Sequence, residues 1–453
     1  MEKTHEHMLF DHLQRLATKH GRSHALVAGE NRVTFAELSP RAERWVDTLT
    51  RFHKRRLGLA IRDIGSWIAA AAACDKLGIS LFLIDPELDS RHRLEFSRFA
   101  GLSAVLVDDA AQPVVECGDL EEVPHEGEAV VTIVTSGTTG KPKPVRHTWR
   151  SLSRPVRIDQ KYERTRWFLS YPLRLYAGLQ VFLQCFLNAG TLVVAPGTLG
   201  QRELVTYLLT SGVDYVSGTP SFWRGLLSFG DRSALRQLKV QQVTLGGEPA
   251  TGDLLSTLHD VLPKARIVHI YATSELGRCF TVTDCRPGFP VDYLRKSPEP
   301  GIDLRIHDGE LQVRSSNSMK GYDRVSELKA DMGDWFPTGD LVEVVGDRVE
   351  FRGRKTEMIN VGGNKVFPLE VESVLRTIPE VVDARVYAVA SSLVGEVVGA
   401  DIVLDKMHSP DASRVRIMDH CGLHLQPHQR PRKLRFVKQI EITEAGKIPR
   451  KEV

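Results

Sequence analysis

Short, β-branched or leucine-rich apolar runs alternate with helix-period stretches along the first three hundred residues. Thr34-Phe35-Ala36-Glu37-Leu38 opens a helical period, and Trp67 to Lys76 is an alanine-rich helical run. Gly78 stops that helix ahead of an apolar strand, Ile79 to Ile84. Val130, Val131, Ile133 and Val134 predict a buried strand, as do Leu192 to Ala195, Tyr215 to Ser217, Gln242 to Leu245 and Ile267 to Tyr271. Strands alternating with helices argue for an α/β body with parallel or mixed sheets. From about Gly301 the pattern changes. Leu304 to Ile306, Leu311 to Val313 and Leu341 to Val345 predict antiparallel strands, with turns at Asp308-Gly309 and Gly346-Asp347. The expected architecture is a large multi-sheet α/β N-terminal domain, residues 1–353, and a small α+β C-terminal domain, residues 354–453. No internal repeat or low-complexity stretch interrupts it.

Length and composition agree with that division. A chain of 453 residues exceeds one ordinary core, and 42% hydrophobic with 26% charged residues is a globular composition. A net charge of +3 excludes no partner strictly, but it gives no reason to expect nucleic acid. His53-Lys54-Arg55-Arg56 and the Arg430 to Lys438 stretch read as solvated faces. Cys74, Cys117, Cys185, Cys279, Cys285 and Cys421 are scattered without C-x-x-C spacing, which speaks against a metal cluster and a disulfide framework. Met1 to His20 holds four histidines and no apolar core, so no signal peptide is expected. Ile64 to Ile84, the most apolar stretch, carries Asp75 and Lys76, so no membrane span is expected and a cytoplasmic location is.

The candidate chemistry begins where the Val130–Val134 strand runs into Thr135, Ser136, Gly137, Thr138, Thr139 and Gly140. Glycines let backbone N–H groups approach an anion, hydroxyls add donors, and Lys141 and Lys143 add charge. A loop for nucleotide phosphates is the reading. It is not a P-loop, because two residues separate Gly137 from Gly140 and Pro142 follows Lys141.

The SGTTGKPK run resembles the phosphate-loop signature of the adenylate-forming superfamily: acyl- and aryl-CoA synthetases, adenylation domains and luciferases. Further segments resemble that family in order. They are Gly246-Gly247-Glu248-Pro249, Tyr271-Ala272-Thr273-Ser274-Glu275, Asp334 to Asp340, Gly353-Arg354 running on to Glu372, and Gly446-Lys447-Ile448-Pro449-Arg450. The resemblance covers nearly the whole chain, thinner before Val130, and the chain is short for the family. It implies attack of a carboxylate on the α-phosphate of ATP to give an acyl-adenylate and pyrophosphate, then transfer of the acyl group to a thiol. It further implies a mobile small domain that rotates between the two half-reactions.

By resemblance, Thr135 to Gly140 with Lys143 cradle phosphates, and Gly247, Glu248 and Pro249 lie on the adenine side. Glu275 is the Mg²⁺ ligand, and Ser274 keeps the hydroxyl of the family's threonine. Asp340 anchors the ribose with Arg354 in support, and Lys447 is the mobile cation of adenylation. Tyr271 either stacks on adenine or belongs to the core. Gly363 lets a pantetheine arm pass, and Lys365 either touches its phosphate or is solvated. Thr356 stands where the family pivot usually has Asp or Lys. His147 and Thr148 resemble part of a family motif, but Trp149 departs from it and no role is carried over. The acid pocket is expected from Arg174, Leu175, Phe222, Trp223, Leu245 and Gly246. No acidic residue stands in Tyr171 to Gly178 to pair with an ammonium, so an aryl or fatty acid is favoured over an amino acid. Arg174 either binds a second substrate carboxylate or is simply exposed.

The expected protein is therefore an acid–thiol ligase using ATP, Mg²⁺ and coenzyme A, free-standing and without an appended carrier domain. Loading of a carrier-protein phosphopantetheine is the nearest alternative. A luciferase-like oxidation, which oxygen uptake would reveal, and a non-catalytic nucleotide-binding regulator stand further off.

Overall fold

The computed structural model describes residues 8–108, 114–116, 128–135, 143–316, 318–322, 335–405, 407–443 and 446–450. Its architecture is α/β, with four sheets among the described residues. The six-stranded sheet runs Val114–Glu116, Ala104–Val107, Arg56–Ala60, Ser80–Leu83, Val131–Thr135, Lys143–His147, parallel in its middle and antiparallel at both edges. The eight-stranded sheet places Arg266–Thr273, Gln242–Gly246, Tyr215–Gly218, Arg166–Phe168, Thr191–Val194 and His24–Ala28 side by side in parallel. Antiparallel edge strands, Gly277–Val282 and Asn31–Thr34, close its two sides.

Local sequence explains these elements. Thr34 caps the helix Phe35–Leu49, its hydroxyl accepting from Glu37 N while Glu37 reaches back to Thr34 N at 2.8 Å. The alanine run forms the helix Ile64–Lys76, capped by Asp63, with Ala69 to Ala73 buried because small side chains admit close packing on both flanks. Gly78 at φ +61° turns the chain into the strand Ser80–Leu83, all four residues buried. That strand pairs in parallel with Val131–Thr135, which delivers the phosphate-loop segment to the sheet's end.

The five-stranded antiparallel sheet joins Ile302–His307, Glu310–Ser315, Phe336–Val345, Arg348–Arg354 and Phe289–Pro290. Its predicted turns form with Asp308 at φ +50°, Gly309 at +75° and Gly346 at +59°. From Ile359 onward a separate core forms from Ile359, Val366, Val371, Leu375, Val386, Ile402 and Ile417, around a sheet of Ile359–Val361, Asn364–Val366, Val381–Ser391, Gly395–Leu404 and Lys433–Phe436.

One ionic cluster pins this last unit. Glu372 is fully buried on the helix Pro368–Arg376. Its Oε1 accepts Val386 N–H at 2.9 Å and a hydrogen bond from Arg450 Nη1, and its Oε2 accepts from Arg450 Nη2 at 3.1 Å. Arg376 adds a contact to Oε2 at 3.4 Å and pairs with Asp383 at 2.9 Å. Removing one partner of a buried ion pair strands the other charge. Glu372→Ala is therefore expected to lower unfolding stability by about 3–5 kcal/mol in urea denaturation, with the small unit melting first.

Candidate functional site

A cavity of about 950 Å³ opens between the large unit and the small one. Thr135, Lys143, Gly246 to Pro249, Tyr271 to Glu275, Asp340, Arg354 and Lys447 all line it, so residues scattered over three hundred positions converge on one space. Ser136 to Pro142 and Asp334 lie outside the described residues.

Asp340 stands on the strand Phe336–Val345, after Gly339 at φ +75°. Its Oδ1 lies 2.6 Å from Arg354 Nε, and its Oδ2 accepts Tyr271 O–H at 2.5 Å. The two strands that carry Asp340 and Arg354 are paired at those residues. Burial raises the Asp340 carboxyl above its ordinary range, and Arg354, Tyr271 and Lys447 pull it back. A carboxylate has about four lone-pair positions. Two are occupied here, which leaves room for the two hydroxyls of a diol. Tyr271 rests its ring against Phe280, centroids 5.0 Å apart, and Phe351, at 5.3 Å. Its work is thus to hold Asp340, with its ring packed among aromatics, rather than adenine stacking alone.

The C-terminal segment enters the cavity between the two units. Thr219 Oγ1 donates to Gly446 O at 2.6 Å, and Glu248 Oε1 accepts Ile448 N–H at 3.0 Å. Arg385 Nη1 donates to Pro449 O at 3.3 Å, while Arg450 binds Glu372 and, at 3.1 Å, Glu357. Lys447 is thereby aimed into the open space beside Gly247, whose missing Cβ would stand 3.3 Å from Lys447 Cε. Gly247 has φ +85°, so side-chain-free backbone is needed there twice over. Protein surrounds Lys447 on most sides while the cavity keeps it wetted. Burial lowers its pKa, the like charge of Arg354 lowers it further, and Glu248, Asp340 and Glu357 oppose.

Glu248 needs a correction. Its Oε2 accepts from Ser221 N at 3.0 Å and Ser221 Oγ at 2.6 Å, so both oxygens serve protein contacts and the residue is a latch for the Lys447 segment. His147, which carried no assignment from the sequence, is buried and places Nε2 2.7 Å from Ser274 O. A carbonyl only accepts, so that nitrogen bears the proton and orients the Ser274–Glu275 turn. The partial family motif around His147 was the available signal. Glu275 O accepts Met319 N–H at 2.7 Å, and Glu275 lines the cavity.

The acid pocket differs most from expectation. Leu175 and Gly246 line the cavity. Arg174 does not: its Nη2 meets Asp85 Oδ2 at 3.3 Å, neither free for substrate nor simply exposed. Trp223 and Leu245 are fully buried core residues, Trp223 donating Nε1–H to Thr244 O at 3.2 Å. Phe222 packs on Phe168 at 6.3 Å and on the side-chain-free space of Gly218. All three face away from the cavity because they sit on the opposite side of their elements from Ser217, Thr244 and Gly246. Gly363 and Lys365 are exposed on the Ile359–Val366 hairpin, outside the cavity lining. Thr356 lines it.

Comparison with known proteins follows the geometry. Residues 13–323 match the AMP-binding enzyme family, and residues 370–447 match the AMP-binding enzyme C-terminal domain. The chain belongs to the AMP-binding enzyme family. This member is similar to a 2-succinylbenzoate–CoA ligase of Bacillus subtilis strain 168, 26% identical over 95% of this chain and 94% of that protein. It is also 26% identical to a long-chain-fatty-acid–CoA ligase of Mycobacterium tuberculosis, over 75% of this chain and 68% of the relative. Among solved structures, an anthranilate CoA ligase in complex with anthranoyl-AMP shares the fold with a TM-score of 0.79 at 19% identity, covering 97% of this chain and 95% of that one. The o-succinylbenzoate CoA synthetase of Bacillus subtilis with its acyl-adenylate gives 0.73 at 23% identity, covering 97% of each. No helix among the described residues is long and apolar enough to cross a membrane.

Loss of the Glu248 latch gives a structural prediction. A charge-assisted hydrogen bond contributes about 1.5–3 kcal/mol. Glu248→Ala is expected to speed tryptic cleavage at Lys447 by at least about tenfold, through local release of the segment. Mass spectrometry of the digest reads the site.

Proposed function

We propose that this AMP-binding enzyme is an AMP-forming acid–thiol ligase. It activates a carboxylic acid with ATP to an acyl-adenylate and pyrophosphate, then passes the acyl group to coenzyme A. The observation that carries this reading is Lys447, held by contacts to both units inside the cavity that also contains Asp340 and Glu275. The similarity to CoA ligases that act on an aryl and on a fatty acid supports the same reaction type and coenzyme A as acceptor.

Each step asks something definite of the chain. Asp340, with two lone-pair positions left, receives the ribose hydroxyls, and Arg354 and Tyr271 keep its carboxylate oriented. Thr135 and Lys143, at the mouth of the phosphate loop, face the polyphosphate. The Lys447 ammonium neutralises charge that grows on the α-phosphate as the acid attacks, in a site built before the reaction starts. Seating the segment also brings the acid and phosphate into line without a diffusional search.

Mg²⁺ fits the donor set. The described residues contain no cluster of three or more acidic, His or Cys ligands, and a Mg²⁺ that bridges substrate phosphates needs only one or two carboxylates. Glu275 is the residue that would hold it. Such an ion would neutralise polyphosphate charge and fix the leaving pyrophosphate. The small domain, from Arg354 on, is proposed to turn about Thr356 after adenylation. That turn withdraws Lys447 and brings the Gly363 and Lys365 hairpin towards the cavity for entry of the thiol.

The test is acid-dependent ATP–pyrophosphate exchange. Lys447→Ala is expected to reduce exchange by about 10²–10³-fold, the scale of a lost charge-stabilising donor. Thioester formation from a preformed acyl-adenylate should persist in that variant. Exchange in no acid, with ATP still bound, would sink the ligase reading in favour of a nucleotide-binding regulator. Offering coenzyme A and a phosphopantetheinylated carrier together should give the coenzyme A thioester. A pH profile adds a second check. Lys447 acts protonated and its pKa is lowered, so activity is present below that pKa and lost as pH rises through it. The alkaline limb should fall below the ~10.4 of free lysine, and chelation of Mg²⁺ should abolish exchange reversibly.

A further inference from the structure

Beyond Gly246 the cavity continues as an arm between the helix Tyr176–Phe186 and the sheet face that carries Ser217 and Thr244. Gln180, Arg157 and Arg278 complete its walls. This arm is not the apolar slot that a plain hydrocarbon chain would fill.

Arg278 is the informative residue. It stands across from Ala272 at the edge of the eight-stranded sheet, close to the Ser274–Glu275 turn. Its Nη2 pairs with Glu299 at 3.0 Å, but its Nε is buried with no hydrogen-bond partner among the described residues. Arg157 approaches the same Glu299 at 3.8 Å. Glu299 does not line the cavity, and none of the carboxylates that do line it pairs with either arginine. Two guanidiniums thus share one carboxylate, which leaves one positive charge and one buried donor directed at the arm. A methylene chain laid there would desolvate that donor without an acceptor, at a cost. An anionic acceptor would satisfy both, and a guanidinium is shaped to receive a carboxylate.

We propose that the acid carries a second carboxylate, remote from the one that is activated, and that Arg278 with Arg157 receives it. Arg278 is then the specificity-determining residue, in the role that Arg174 cannot fill. The proposal rests on the acid-activating reading and narrows it to dicarboxylic acids.

Paired acids test it: 3-phenylpropanoate against 3-(2-carboxyphenyl)propanoate, and hexanoate against hexanedioate. In ATP–pyrophosphate exchange, at least one dicarboxylic partner is expected to exceed its plain counterpart by about tenfold or more in kcat/KM, as for a site built around a polar group. Arg278→Gln should collapse that ratio to within about twofold, and Arg278→Lys, which keeps the charge, should restore part of it. Unfolding curves confirm that each variant is folded. Equal use of both members of every pair, or a ratio unchanged in Arg278→Gln, overturns the proposal. Calorimetric binding of the same acids separates the two readings. If no acid drives exchange, ligase activity fails as a reading, while preferential binding of the dicarboxylic acid, lost in Arg278→Gln, still upholds the site. Equal binding of both acids defeats it.

Discussion

The carboxylate of Glu372 has no exposure to solvent, and the rest of the site depends on how that charge is matched. A buried carboxylate must be paired and hydrogen-bonded or it becomes neutral. Arg450 supplies a two-pronged contact, Arg376 and the Val386 N–H complete it, and Arg450 and Arg376 together hold Glu372 below its usual range against burial. The consequence runs along the chain. Fixing Arg450 fixes the backbone three residues earlier, where Ile448 and Gly446 are tied to Glu248 and Thr219 of the large unit. Lys447 lies between those ties. Its ammonium reaches the cavity because an ion pair in one core and a latch on the other leave the segment little freedom.

A second constraint sets the electrostatics opposite Lys447. Asp340, Arg354 and Tyr271 form a nearly buried triad whose members come from different strands of two sheets. Low exposure makes each contact stronger and each omission more costly. The same logic accounts for Arg278, where a donor left over is a signal of something to be bound rather than slack in the packing. The cavity therefore has two polar ends of different character. One is built around carboxylates that hold sugar and metal. The other carries excess guanidinium.

Similarity to ligases named for an aryl acid and for a fatty acid, at the same 26% identity, leaves the acid open. Identity at that level preserves the strands and the adenylate-facing segments. The walls of the acid arm come from a helix face, a sheet face and an edge strand, which can vary without disturbing the core. Local chemistry of that arm, not overall likeness, is what bears on the substrate.

The amino-acid order by itself determined the elements and the shared segments. The alanine helix and the strand after Gly78, the left-handed turns at Asp308-Gly309 and Gly346, and the convergence of Gly247, Ser274, Asp340 and Lys447 on nucleotide chemistry were legible, because helix and strand periods and glycine geometry are local properties. Pairings between distant positions were not. Arg174 is taken by Asp85, 89 residues earlier, and Glu248 by Ile448, 200 residues later. His147 orients Ser274 across 127 positions. Trp223 and Leu245 read as pocket residues, yet the register of their strands and helix turns them into the core. Apolar pattern says that a side chain is buried. Only the packing of one element on another decides whether it is buried against protein or against a ligand, and which of several arginines keeps a donor in reserve.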